Sequence, residues 1–138
     1  MILLDTSGLL AALDSAQRHH SKSAASLQAA TPPLLLSPFV LAELDYLLAT
    51  RVGGAARMSL LDEVARGAYD LAPFAAADIR NATAVIKRHA DLGISLADAS
   101  IVVLATRHDT RDVLTLDERH FRVLDANRKP FRLLPADG

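Results

Sequence analysis

Four carboxylates stand where the chain is otherwise building apolar elements: Asp5, Glu43, Asp98 and Asp117. Asp5 ends the run Ile2-Leu3-Leu4. Glu43 lies within Phe39-Val40-Leu41-Ala42-Glu43-Leu44. Asp98 opens Asp98-Ala99-Ser100-Ile101-Val102-Val103-Leu104, and Asp117 follows Val113-Leu114-Thr115-Leu116. An ionised carboxylate beside a core is costly unless it is paired or binds a metal. Carboxylates brought within ~4 Å of one another repel by ~4 kcal/mol at an effective dielectric of 20, and one of them takes up a proton unless a cation intervenes. Hard oxygen ligands select Mg²⁺ or Mn²⁺ over zinc. Such an ion acidifies a bound water, polarises a phosphate and stabilises the leaving oxygen. Phosphodiester hydrolysis needs those roles and no protein nucleophile.

Each acid has an ordinary explanation as well. Asp5 suits either a ligand at a strand end or the cap of the following helix, although Thr6 or Ser7 can cap in its place. Glu43, placed at ~100° per residue, falls between Phe39 and Leu47 on the apolar side of its helix. Asp45 falls on the opposite side and reads as a solvated residue. The bland role for Glu43 is a buried ion pair with an arginine. Asp98 completes a capping box with Ser95 and is favoured by the helix dipole, yet its helical neighbours Ile101, Val102 and Ala105 mark the core side. Asp117 alone reads as a turn residue, with Glu118 as its rival for a ligand role. The case for one cation site rests on the four together.

The elements that must position them follow from apolar runs and their punctuation. Residues 2–5 read as a strand, and Ser7 to Leu13 as a short helix. A second helix covers residues 20–29 and stops at Thr31-Pro32-Pro33. Leu34 to Leu36 reads as a buried strand. Ser37-Pro38 starts a helix with serine as cap and proline in the first turn; it runs to about Arg51, before Gly53-Gly54. Further helices are expected over about Ala55–Arg66, Ala77–Asp91 and residues 97–107. Strands are expected over Tyr69–Ala72, Val113–Thr115 and Phe131–Leu134. Strands alternating with helices imply a parallel sheet covered on both faces, with sites at the carboxyl ends of its strands. Asp5 and Asp117 both lie at such ends.

With 138 residues, 51 % of them hydrophobic and 22 % charged, the chain suits one domain over residues 1–138 with a real core. The formal net charge of −1 excludes a strongly basic nucleic-acid coat but allows local basic patches. Cysteine is absent, which excludes disulfides and thiolate metal sites and suits a reducing cytoplasm. No secretory signal or membrane span is expected, because Asp5 interrupts the first apolar run and no later run is long enough.

The segments Leu4-Asp5-Thr6-Ser7, Leu41-Ala42-Glu43-Leu44, Leu96-Ala97-Asp98-Ala99 and Thr115-Leu116-Asp117 resemble, in order and spacing and over essentially the whole chain, the PIN-domain nucleases. More narrowly they resemble the VapC-type toxins of bacterial toxin–antitoxin pairs. The resemblance implies a three-layer α/β/α sandwich with a central parallel sheet of four or five strands. It implies a Mg²⁺- or Mn²⁺-dependent endoribonuclease whose acidic quartet is Asp5, Glu43, Asp98 and Asp117. Thr115 matches a supporting hydroxyl, with Thr6 or Ser7 in a similar role. The fourth acid varies most in the family, so Asp117 is the member on which the motif constrains least. A homodimer and a cognate antitoxin, whose tail blocks the metal site with an arginine or lysine, are also implied. Independently, the helix bearing Phe39, Val40, Leu41, Leu44, Tyr46, Leu47 and Leu48 is apolar over more than one face, so it is buried on all sides or meets another chain.

Other residues point less clearly to chemistry. His19, His20, His89, His108 and His120 lack the spacing of a two-histidine helical zinc motif, and no metal role is expected of them; His120 is read as a surface residue within reach of RNA. Arg80, Lys87 and Arg88 share one helix side, and Arg107, Arg111, Arg119, Arg122, Arg128, Lys129 and Arg132 crowd the last third. Phosphate contacts require such residues near the acids, although charged faces are usually just solvated. At 4 % aromatics there is no base-stacking platform. Gly53-Gly54 is a helix terminator, since no P-loop lysine follows. Two other functions compete. A phosphatase using Asp5 as a covalent nucleophile wants a second acid two residues on, where Ser7 stands. A non-catalytic binding module leaves the quartet without a purpose.

Overall fold

The computed structural model describes residues 1–138. In chain order the elements are β1 (Ile2–Leu4), α1 (Thr6–Leu13), α2 (His20–Ala29), β2 (Leu34–Leu36), α3 (Pro38–Leu47), α4 (Gly54–Ala65), β3 (Asp70–Leu71), α5 (Ala76–Arg88) and α6 (Leu96–His108). They are followed by β4 (Asp112–Leu114), α7 (Glu118–Phe121), β5 (Asp125–Ala126), β6 (Lys129–Pro130) and β7 (Arg132–Leu134). Five strands form one sheet in the order β3-β2-β1-β4-β7, every pairing parallel. Helices flank it, giving the expected α/β architecture with the upper of the two strand numbers.

Register explains the apolar runs. Leu3 sits between Leu35 and Val113, and Leu4 between Leu36 and Leu114. All six are buried. A strand covered on both faces has no polar side to alternate with, so it reads as a continuous run of leucine and valine. Edge strand β3 has two exposed residues, Asp70 and Leu71, and is correspondingly short. Helix α6 crosses beside β1 and packs on α5 and α3. Its residues from Ala99 to Ala105 are all buried, as its all-round apolar sequence requires.

Helix α3 keeps the Ser37 cap: Ser37 Oγ accepts the Phe39 N–H at 3.1 Å, with Pro38 in the first turn. The helix continues as one wide turn over Leu48–Val52 before Gly53 ends it. Only Val40, Leu44 and Leu48 of this segment are fully buried, whereas Tyr46 is 66 % exposed. Phe39 and Leu41 are half-buried against the core and Leu47 is half-buried, so Tyr46 is the large apolar residue of α3 left open. The chain also holds elements that the residue pattern did not suggest, namely the four-residue α7 and the β5–β6 ribbon. No helix is long and apolar enough to cross a membrane.

Candidate active site

The strand order reverses at β1: β2 and β3 lie on one side of it, β4 and β7 on the other. Crossovers leave β1 and return to β4 from opposite directions, so a crevice opens outside their carboxyl ends. Asp5 follows β1 directly and Thr115 follows β4. The close approach of α1 to this crevice depends on Gly8. A β-carbon there would fall 2.7 Å from the Thr115 amide nitrogen and closer still to the Leu114 carbonyl. Without a side chain, α1 settles on the end of β4, and Ser7 Oγ accepts the Leu116 N–H at 2.9 Å.

Asp5 is the most buried of the four acids, with 5 % of its surface exposed. It occupies the cap position of α1, but its side chain caps nothing. Its Oδ2 instead accepts the hydroxyls of Thr115 at 2.6 Å and Ser7 at 2.9 Å. Desolvation outweighs those hydrogen bonds, and the nearby Asp98 carboxylate adds repulsion, so the Asp5 pKa is pushed up to about 6. No cationic side chain offsets this. Thr6, the other hydroxyl at this end, donates to Glu43 Oε1 at 2.8 Å.

Asp98 occupies the third position of α6, and the capping box is formed: Ser95 Oγ accepts the Asp98 N–H and Asp98 Oδ2 accepts the Ser95 N–H, both at 3.1 Å. The carboxylate still faces the crevice with 13 % of its side chain exposed. Capping and site-lining are therefore not alternatives here. Asp117 is the cap of α7 rather than a plain turn residue; its Oδ1 accepts the His120 N–H at 3.1 Å. Its Oδ2 lies 2.8 Å from His120 Nδ1, which is itself 3.6 Å from Asp98 Oδ2. His120 is thus a wall of the site, with 18 % of its side chain exposed, and not the open-surface residue expected. The signal was present: once Asp117 caps a helix, the residue three positions on falls on the same face. The missing piece was α7 itself, too short to show a period.

Glu43 corrects a second expectation. It is exposed and not tucked among apolar side chains, and Leu47, one turn on, shares its wall of the crevice. Helical geometry did separate it from Asp45, but Asp45 is not simply solvated. It pairs with Arg57 of α4 through both oxygens. None of the four site acids is paired with an arginine. Helices α3 and α6 are pinned together beneath the site by a chain of buried hydroxyls. Ser37 and Ser100 lie 2.7 Å apart, and Ser100 Oγ donates to the Ala97 carbonyl at 2.6 Å. Ser37 accepts from Phe39 N–H, so every group in the chain is satisfied in one direction of donation.

Asp5, Thr6, Ser7, Glu43, Asp98, Asp117 and His120 line a single open cleft of about 350 Å³. Within it, one donor atom each from Asp98, Asp117 and His120 lies within 4.8 Å of the others. Asp5 and Glu43 face the same cleft outside this tight group. The carboxylates of Asp5, Glu43, Asp98 and Asp117 thus share one cleft with no arginine paired to any of them. Oxygen donors in this number suit a hard divalent ion. Arg107, Arg122 and Arg132, candidates for phosphate contact on sequence grounds, are instead engaged with Asp78, with Glu118 and Asp137, and with Asp112.

Comparison with known proteins bears on the family and the fold. A family model described as "PIN domain" matches residues 2–127. The chain is 46 % identical over 123 residues to Ribonuclease VapC26 of Mycobacterium tuberculosis, covering 89 % of this chain and 91 % of that one. Among solved structures, VapC20 of Mycobacterium tuberculosis, described as a sarcin–ricin loop cleaving toxin, superposes with a TM-score of 0.79 at 20 % identity over 85 % of this chain and 90 % of that one. FitAcB from Neisseria gonorrhoeae gives a TM-score of 0.56 at 26 % identity over 81 % and 88 %.

Proposed function

The chain belongs to the PIN-domain family, and from that footing we propose that it is an endoribonuclease, the growth-inhibiting toxin of a toxin–antitoxin pair, whose hydrolysis of RNA phosphodiesters depends on Mg²⁺ or Mn²⁺ held by Asp5, Glu43, Asp98 and Asp117. The observation that carries this reading is the meeting of four acids from separate elements on one cleft with no arginine among them. Residues 1–138 act as one nuclease domain, working in the cytoplasm.

When bound, the ion supplies an acidified water and charge neutralisation at the phosphate. The chain's own groups orient what meets there. Thr115 and Ser7 hold the Asp5 carboxylate through its Oδ2. The Ser95 amide fixes Asp98, and the α7 amide fixes Asp117. Glu43 stands at the wet edge with Thr6 donating to it, where it can accept the proton of an attacking water. Asp5 is not a covalent nucleophile in this scheme: two residues after it stands Ser7, which donates a hydrogen bond and offers no carboxyl to protonate a leaving group.

Incubation with structured RNA tests the reading. Cleavage is expected with Mg²⁺ or Mn²⁺, none in EDTA, and a fall of about 100-fold or more in Asp98→Asn, since a ligand should matter at least as much as its orienting partners. Undiminished cleavage in EDTA would end the metal mechanism. The antitoxin partner would close this open acidic cleft with a basic side chain on its tail, and the exposed Tyr46 and Met58 (66 % and 61 %) support a homodimer interface on the α3–α4 side. A monomer mass in sedimentation at micromolar concentration would count against the dimer.

A further inference from the structure

His120 is not one of the family acids, yet its ring nitrogen lies against the carboxylates of two of them. It belongs to α7, whose cap is Asp117, and the three-residue offset turns its ring back over that cap. Nδ1 lies 2.8 Å from Asp117 Oδ2 and 3.6 Å from Asp98 Oδ2, and the three donor atoms lie within 4.8 Å of one another. Ligands of one ion with bonds of about 2.1 Å are separated by roughly 3 Å when adjacent and about 4.2 Å when opposite. Nδ1 lies 2.8 and 3.6 Å from the two oxygens and no pair of the three is more than 4.8 Å apart, close to those spacings, whereas Asp5 and Glu43 stand outside this tight group. The donor atoms already spaced for a shared ion are therefore two oxygens and one imidazole nitrogen.

We propose that His120 coordinates the divalent ion through Nδ1 beside Asp98 and Asp117, making this a mixed nitrogen–oxygen site that prefers Mn²⁺ to Mg²⁺. The inference rests on the divalent-ion part of the function proposed above and adds to it the identity of one ligand. Mg²⁺ is suited by carboxylate, carbonyl and water oxygens, while an imidazole nitrogen favours the transition ions, among which Mn²⁺ is the one that carboxylates also accept readily. Without the ion the 2.8 Å contact is a hydrogen bond that Nδ1–H donates to Asp117 Oδ2; with the ion bound the ring would carry its proton on Nε2 and present the Nδ1 lone pair to the metal.

Mn²⁺-loaded protein examined by pulsed electron paramagnetic resonance reports ligand nitrogen directly, whatever the activity. The wild type is expected to show ¹⁴N modulation, and His120→Gln to bind Mn²⁺ without it. In competition titrations His120→Asp, which restores a third oxygen, is expected to lower the Mn²⁺-over-Mg²⁺ preference roughly tenfold. Mn²⁺ bound by the wild type with no ¹⁴N modulation would overturn the proposal and leave the nuclease reading standing, as would modulation that survives in His120→Gln. Only aqueous Mn²⁺ in every sample would sink both. Circular dichroism and thermal unfolding of the two variants separate loss of a ligand from loss of the fold.

Discussion

Burial removes water from Asp5 faster than Thr115 and Ser7 replace it, and its pKa rises to about 6 for that reason first. The folded chain therefore holds the Asp5 proton more tightly than the unfolded chain does. Its contribution to stability is fully present below the ordinary carboxylate pKa near 4 and is lost as pH rises through about 6. By neutral pH the ion-free protein gives up ~3 kcal/mol on this account. Asp5→Asn removes the charge, so in EDTA the variant is expected to gain stability relative to the wild type as pH climbs from 4 to 7, while losing cleavage. Denaturant unfolding at several pH values checks this; a difference that stays flat would mean the carboxylate is solvated after all. The acids were legible because each breaks an apolar run. What could not be read was how each is held. Glu43 was assigned to a buried side by periodicity, but a helix beside a crevice has one apolar flank that opens to water. His120 was read as a surface residue because its place in the wall of the site depends on a single turn of helix.

At the scale of elements, the site depends on two close approaches. Gly8 lets α1 rest on the end of β4. Gly8→Ala is expected to destabilise the protein by ~1–3 kcal/mol and to lower cleavage more than that loss of folded protein explains, because Asp5 and Ser7 must shift from Thr115. Proteolysis or thermal unfolding measured alongside activity separates the two effects. The Ser37–Ser100 chain ties α3 to α6, hence Glu43 to Asp98. Ser100→Ala leaves Ser37 without an acceptor in a buried setting, an expected cost of ~1–2 kcal/mol by chemical denaturation. If Ser100→Ala proves neutral, the hydroxyl chain is ornamental. Long elements were readable from apolar runs and from the Ser37-Pro38 and Ser95 starts. The four-residue α7 and the two-residue strands β5 and β6 were not, since each spans only about one period of the pattern that would announce it.

For the whole molecule, the net charge of −1 hides a division of labour. The cleft concentrates acid, and several arginines of the last third are tied up in surface ion pairs. A second groove of about 560 Å³ is lined by Lys22, His19 and Glu118 and by Thr115, whose hydroxyl bonds Asp5. Lys22 there offers an RNA backbone a cation near the acids. Lys22→Ala is expected to weaken RNA binding a few-fold, equally across sequences, and to flatten its salt dependence by about one counterion. Unchanged binding would place the RNA elsewhere. The parallel sheet was foreseeable from the order of apolar runs, because continuous runs mean strands buried on both faces; the strand order and its reversal at β1 were not, since pairing partners are set only on folding. Which cations remain free was not, since pairing depends on neighbours brought together only by folding.

The claim on which the rest depends is that this cleft holds a divalent ion. Anomalous diffraction from crystals soaked in Mn²⁺ tests it most directly. The account predicts a strong peak among the carboxylates of Asp5, Glu43, Asp98 and Asp117 in the wild type, and its loss in Asp98→Asn. A Mn²⁺-saturated crystal with no peak in the cleft would contradict it, as would a peak that persists undiminished when Asp98 is gone.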